Sequence, residues 1–590
     1  MQIDSSVYTA AMRSSWLRLV PVLLLAACNA SRETVDLATQ GAVNPGTPPA
    51  LRAAQAPAPA APSSAAAVPP TDGAPPPLFN DLGTYHHPVS CSAAAQQYFD
   101  QGLRLVYAFN HDEAVRAFNE AGRLDPNCAM AFWGVALALG PNFNSPLDPD
   151  RAAAAHAALQ RAQALAPNAN AAERDYIAAL AVRYSDDPKA DRKQLDRAYA
   201  DAMRRLAHTY PDDPDASTLF AESLMDLWPW DLWTADGQPR PDTPEILATL
   251  EGVMQKDPNH PGANHYYIHA IEASPQPEKG AASAARLASL APGAGHLVHM
   301  PSHIYFRTGR YAEAAEANRL AIAADERYIA AVHPSGMYPM MYYTHNIDFL
   351  WVSTSMEGRS AEAIQAAREV SSRVSPDMVR QMPEAEFILP KAYFALVRFG
   401  RWEEMLAQPA PADDLLYTTA MWHYARGVAF AATGRFADAA RERAALVAVE
   451  ARLPAGMIVG DNQPASLLVR IASLTLAGEI AARQGQCETA IPKLEEAVSV
   501  QDGLPFSEPP GWYYPVRDSL GAVLLQCDRP QTAEDVYRQD LKRNPENGWA
   551  LYGLAQALRA QDKTAEAAAV DTRFRTAWRN ADVQLKSSRF

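Results

Sequence analysis

From residue 91 to the C-terminus, small, apolar and polar positions recur at the spacing of short paired helices. Counting Ala95 as position 1, Tyr98 falls on position 4, Gly102 on 8, Ala114 on 20, Phe118 on 24, Ala121 on 27 and Pro126 on 32. Each marker has a physical role. Small residues at 8 and 20 let two helices cross closely, the aromatics fill the space between successive pairs, and the proline stops the second helix because it lacks an N–H. The same count fits from Pro261, Gly295, Thr344, Ala420, Tyr514 and Glu546, while 172–210 and 466–500 are helical by pattern with weaker markers. No period-two alternation of a strand persists. Repeat length predicts about ten to twelve helix pairs.

Three stretches break the rhythm: Trp228–Asp242, Ala331–Tyr343 and Gln501–Gly511. Long insertions in a repeat array gather on one face and often serve binding. The markers resemble the tetratricopeptide repeat signature at nearly every position of the first repeat. The resemblance implies an all-α, right-handed superhelical solenoid of tetratricopeptide-like helix pairs over residues 91–590.

Ahead of the repeats the composition changes twice. Arg13 and Arg18 precede a short apolar run, Leu19–Ala27, which is too short to span a bilayer as a helix. Leu25-Ala26-Ala27-Cys28 resembles the lipobox of bacterial lipoproteins. This implies a signal peptide over 1–28, lipidation of Cys28, and residence in the bacterial cell envelope facing the periplasm. Asn29 in place of aspartate points to the outer membrane. From 29 to 90 the chain is rich in Ala and Pro and predicts a disordered tether that cannot build a core. The net charge of −15 excludes nucleic acid as a partner, since no basic excess is present to neutralise phosphates.

Export sets the expectation for the cysteines. With Cys28 lipidated, four remain in an oxidising compartment. Cys91 and Cys128 occupy like positions of neighbouring repeats, as do Cys487 and Cys527, so disulfides Cys91–Cys128 and Cys487–Cys527 are expected; four buried thiols are the alternative.

The chemistry concentrates between residues 260 and 345, where eight of the fourteen histidines lie. His265 and His269 are spaced i, i+4, as are His299 and His303, so each pair leaves one face of its helix. The pairs are 34 residues apart, the tetratricopeptide period. Glu272 and His296 stand three residues from the nearest pair member. In the repeat frame these side chains fall on helix-A positions that, in tetratricopeptide proteins, line the concave groove. Tyr266, Arg307, His345 and Asp348 join them as candidate groove-binding residues.

Two readings follow. In one, a scaffold rather than an enzyme holds a peptide or envelope protein in an open polar groove. In the other, His265, His269, His299 and His303, with Glu272 and His296, bind a transition metal such as Zn or Cu, in a metal-handling protein or metalloenzyme. Met300, Met337, Met340 and Met341 are near in sequence and tilt the choice towards copper. The segment HYYIH lacks the glutamate of a zincin helix, so no catalytic residue is nominated. Pro301 threatens the i, i+4 geometry of the second pair. Ser302 occupies the small crossing position 8, which packing explains.

Overall fold

The computed structural model describes residues 75–590, apart from 188, 337 and 461. The expected signal peptide, Cys28, the tether up to residue 74 and Met337 lie outside the described residues. Among the described residues the fold is all-α and of the tetratricopeptide-repeat type. Each helix packs on the next along the chain, from Ala93–Tyr107 and His111–Leu124 to Gly548–Arg559 and Thr564–Ala577. Strand is confined to the two-residue ladder Ile458–Val459 with Gln463–Pro464 and two isolated bridges.

The repeat markers do the packing predicted of them. Phe118 lies between Gly102 and Gly134, where a Cβ would come within 2.6 and 2.5 Å of its ring. Tyr537 lies between Gly521 and Gly553 in the same way, with corresponding approaches of 2.3 and 2.1 Å. Substituting alanine at these glycines therefore requires the aromatic ring to leave its seat. Both expected disulfides are present, with Cα–Cα distances of 5.0 Å for Cys91–Cys128 and 5.9 Å for Cys487–Cys527.

The predicted tether reaches too far along the chain. Residues 75–92 are packed, not free. The Phe79 N–H donates to Gln101 Oε1 at 2.8 Å, Leu82 is buried, and Tyr85 and His87 both bond Asp215. The Ala- and Pro-rich composition ends at Pro77, and aromatic and histidine side chains then supply the anchoring that Ala and Pro cannot.

Apolar packing forms two main cores. One gathers buried residues between Leu82 and Tyr342, the other between Phe306 and Val570, and Tyr305 packs against both. The later repeats also fold back on the middle of the chain. The Trp549 indole N–H donates to the Ser355 carbonyl at 3.1 Å, and Gly309, at φ +77°, meets the Pro545 carbonyl where a Cβ would stand 2.2 Å from its oxygen. The histidine-rich helices Pro261–Glu272, Gly295–His299, Pro301–Arg307 and Tyr343–Met356 lie where the two cores meet.

Candidate metal centre

Pro261–Glu272 starts with a proline at its first turn and is capped by His260, whose Nδ1 accepts the Ala263 N–H at 3.0 Å. It projects His265 and His269 from one face, with ring centroids 4.9 Å apart. Pro301 divides the next histidine helix into Gly295–His299 and Pro301–Arg307, yet Met300 keeps helical dihedrals of φ −50° and ψ −36°. The spacing survives, and His299 Nε2 and His303 Nε2 stand 2.7 Å apart. His345 comes from the first turns of Tyr343–Met356 and packs its ring 4.8 Å from that of His299.

The six imidazoles sort into two trios. His265, His269 and His296 bring one potential ligand atom each within 4.8 Å of one another, and so do His299, His303 and His345. The trios abut, with 5.6 Å between the rings of His269 and His303 and 5.8 Å between those of His296 and His299. A single site built from the two i, i+4 pairs is therefore not the observed grouping. Each pair instead recruits a third histidine, His296 to the first and His345 to the second.

The partners of the ring nitrogens define the tautomers. His265 Nδ1 lies 2.7 Å from the Tyr107 carbonyl, which only accepts, so it carries the hydrogen. His299 Nδ1 lies 2.6 Å from Asn318 Oδ1, and the Asn318 amide is oriented by its own donation to the Ala314 carbonyl at 2.7 Å. His303 Nδ1 donates to Glu272 Oε2 at 2.7 Å and to Glu508 Oε2. His299 and His303 thus turn their Nε2 atoms towards each other, a contact that a shared proton or a metal ion satisfies. In the first trio, His265 Nε2 is bare and 3.0 Å from His296 Nε2, while His269 Nε2 and His296 Nδ1 are buried without a partner. At such separations each pair of facing nitrogens needs one proton or one metal ion between them.

Glu272 ties the trios together. Its Oε1 lies 3.1 Å from His269 Nδ1 and its Oε2 2.7 Å from His303 Nδ1, so one carboxyl group orients one imidazole of each trio. Carboxylates that hold the far nitrogen of a histidine raise its basicity and fix its ring. Glu272, expected as a ligand, orients one imidazole of each trio and also lies with His269 and Glu508 in a third group whose potential ligand atoms fall within 4.8 Å of one another.

Electrostatics favour the neutral form at five of the six imidazoles. Burial pushes His265 down to about 3, against the pull of the Tyr107 carbonyl, and burial followed by the charge of His303 brings His345 to about 3. Burial and then the neighbouring histidines hold His269, His296 and His299 well below the usual imidazole range. Burial raises Glu272 to about 7, and burial with the adjacent Glu272 charge raises Glu508 further. Neutral imidazole is the form that ligates.

The open groove expected here is not what these residues form. His265 and His299 have no exposed surface, and His269, His296 and His303 have 3% or less. All three insertions contribute to the enclosure. Trp230 from the first lies 5.8 Å from His269, Tyr342 from the second lies 4.9 Å over His296, and Glu508 comes from the third. Phe109, at φ +55° in the turn after the first helix, packs its ring 4.5 Å from His265.

Of the four candidate groove residues, Tyr266 is buried against Tyr107 and Phe109, and Asp348 accepts the Trp351 indole N–H at 2.6 Å and pairs with Lys391 at 3.1 Å. Those two serve packing. His345 belongs to the second trio, and Arg307 borders a cavity beside it. Of the methionines, Met300 is buried in the first apolar core and Met341 packs against it.

A second histidine cluster is structural. Asp215 accepts from Tyr85 at 2.8 Å, from Tyr107, from His87 at 2.6 Å and from His260 at 3.2 Å. Its oxygens are saturated, so the grouping of His87, Asp213 and Asp215 functions as a clamp on the segment 75–92. Burial lowers His87, but the hydrogen bond to Asp215 and its charge, with Asp213 and Asp100, outweigh this and raise it to about 9. A raised folded-state pKa contributes stability fully present below the unfolded value near 6.5 and lost as pH rises through about 9. The wild-type chain is therefore expected to lose stability relative to His87→Gln between those limits in urea titrations. Parallel curves for the two proteins would show that the pair contributes nothing.

No family model and no curated protein matches the chain. Among solved structures, the chain is similar to the human IFIT1 dimer with m7Gppp-AAAA at 13% identity and TM-score 0.31, covering 83% of this chain and 91% of that one. Yeast Tom70 aligns at 12% identity and TM-score 0.26, covering 82% and 90%. The APC/C hetero-tetramer Cut9–Hcn1 aligns at 14% identity and TM-score 0.26, covering 79% and 76%. At these scores the fold assignment rests on the helix pairs themselves, and the imidazole cluster has to be read on its own chemistry.

Proposed function

We propose that this chain is a metalloprotein in which a tetratricopeptide-type solenoid encloses two adjacent three-histidine sites. The observation that carries the reading is the pair of facing Nε2 atoms of His299 and His303, 2.7 Å apart with both Nδ1 atoms committed elsewhere. All-imidazole donor sets suit Zn and Cu among the first-row metals. Charge favours copper. Six imidazoles, which ligate only in the neutral form, and two carboxyl groups would supply at most two negative charges, which balance two Cu(I) ions, whereas two Zn(II) ions require further anions in a buried space where uncompensated charge is costly. Titrating metal-free protein with Cu(I) under anaerobic conditions tests the reading. Saturation at two equivalents supports it, and failure to compete with a weak chelator refutes it.

The envelope setting is part of the proposal. The lipobox-like Leu25–Cys28 places the centre on a lipid anchor in the periplasm, where copper and zinc are handled outside the reducing cytosol. Cys28→Ser is expected to release the protein from the outer-membrane fraction into the soluble periplasm. Unchanged fractionation would contradict lipidation at Cys28.

A further inference from the structure

A cavity of about 170 Å³ opens beside the second trio, and nothing in the metal reading requires it. His303 and the carboxyl groups of Glu272 and Glu508 form part of its lining. Phe306, Phe349, Phe506 and Trp512 contribute aromatic surface, most of it from the third insertion and the helices it covers. The space suits a small flat molecule rather than a peptide.

Two donors on this lining remain uncommitted. Trp512 is buried, with 1% of its surface exposed, and its indole Nε1–H has no partner. Buried N–H groups without partners are rare and costly, and they recur where a ligand completes them. Arg307 is held in place by donating Nε–H to the Glu272 carbonyl at 2.9 Å and Nη2–H to the Ser274 carbonyl at 3.2 Å. It forms no ion pair among the described residues and is held by neutral acceptors, while the charges of Glu272 and Glu508 act on it from the same lining. Its guanidinium also lies over the Phe506 ring at 5.8 Å. By contrast, Arg543 on the same lining pairs with Asp502 at 3.3 Å. The acidic oxygens are occupied differently, because Glu272 and the Oε2 atom of Glu508 face the Nδ1 hydrogens of His269 and His303.

We propose that this cavity binds a small aromatic carboxylate, its carboxylate meeting Arg307 and the Trp512 N–H and its ring lying among the phenylalanines. A guanidinium and an unpartnered indole N–H on one lining are the kinds of donor such a group requires. The cavity adjoins His303, so the ligand sits next to the second trio and the pocket is that trio's route to small molecules. A larger cavity of about 610 Å³ near the C-terminus, bordered by Arg483 and Arg589, lacks this character because both arginines pair with Glu479.

The test is calorimetric titration of the full chain, metal-free and metal-loaded, with four probes. Benzoate carries both features, benzyl alcohol only the ring, acetate only the charge, and benzylamine the ring with the opposite charge. Benzoate is expected to bind at least about tenfold more tightly than any of the other three, the value of one charge-assisted pair. Arg307→Met is expected to cost benzoate about tenfold or more while leaving benzyl alcohol unchanged. Trp512→Phe provides a second variant with the same expected direction. Benzylamine binding as well as benzoate, acetate matching benzoate, or no benzoate binding overturns the proposal. Binding to the metal-free chain separates this test from the metal reading, since failure to retain metal leaves that result intact.

Discussion

Replacing His269 with alanine is expected to remove one equivalent of bound metal, and replacing His303 the other. The double variant should retain none. The trios share the helix Gly295–His299 but no histidine, so each loss should be local. Glu272 couples them, because it holds His269 and His303 at 3.1 and 2.7 Å. Glu272→Gln is therefore expected to weaken both sites by roughly 10–100-fold, while Asn318→Ala, which frees only His299, should weaken one by a similar factor. Far-UV circular dichroism should stay at the wild-type value in all five variants, because the seams between repeats are built by residues such as Phe118 and Tyr537. Loss of both equivalents from His303→Ala alone would show a single site rather than two.

The second large effect is on folding. Asp215→Ala is expected to destabilise the chain by on the order of 3–5 kcal/mol, measured as a lowered urea midpoint, because it strips a buried carboxylate from four donors. Tyr85 and His87 belong to the packed segment before the first helix, Tyr107 ends that helix, and His260 caps Pro261–Glu272. Tyr107 is also the residue whose carbonyl orients His265, so the same variant should loosen metal at the first trio before it touches the second. A stability change below about 1 kcal/mol would mean that the clamp is not a structural element of the fold.

The parts of this molecule legible in the sequence are those fixed by local periodicity. Glycines at position 8 and aromatics at position 24 announce helix pairs because only that combination lets two helices cross and the next pair seat itself. The i, i+4 spacing and the 34-residue offset bring His265, His269, His299 and His303 together for the same reason. Pro301 leaves that register standing because Met300 keeps helical dihedrals across the break.

What periodicity does not carry is closure. Glu508 lies 205 residues beyond His303, and its approach depends on how far the solenoid has turned by the third insertion. Trp230, Tyr342 and Phe109 likewise reach the histidines from loops and turns. The groove predicted from repeat positions thus becomes a largely enclosed chamber with one cavity beside His303, and Tyr266 and Asp348 become packing residues. The signals available were the insertions themselves, each too long for a repeat turn and each carrying an aromatic or acidic residue. The segment 75–92 was misread as tether because its few anchoring residues, Leu82, Tyr85 and His87, follow a long low-complexity run.

The central claim is that two metal ions occupy the two trios. Diffraction data from crystals of the copper-loaded protein, collected on either side of the copper absorption edge, test it most directly. The account predicts two anomalous peaks, one among His265, His269 and His296 and one among His299, His303 and His345. An absence of peaks there, or copper bound only at surface residues, would contradict it.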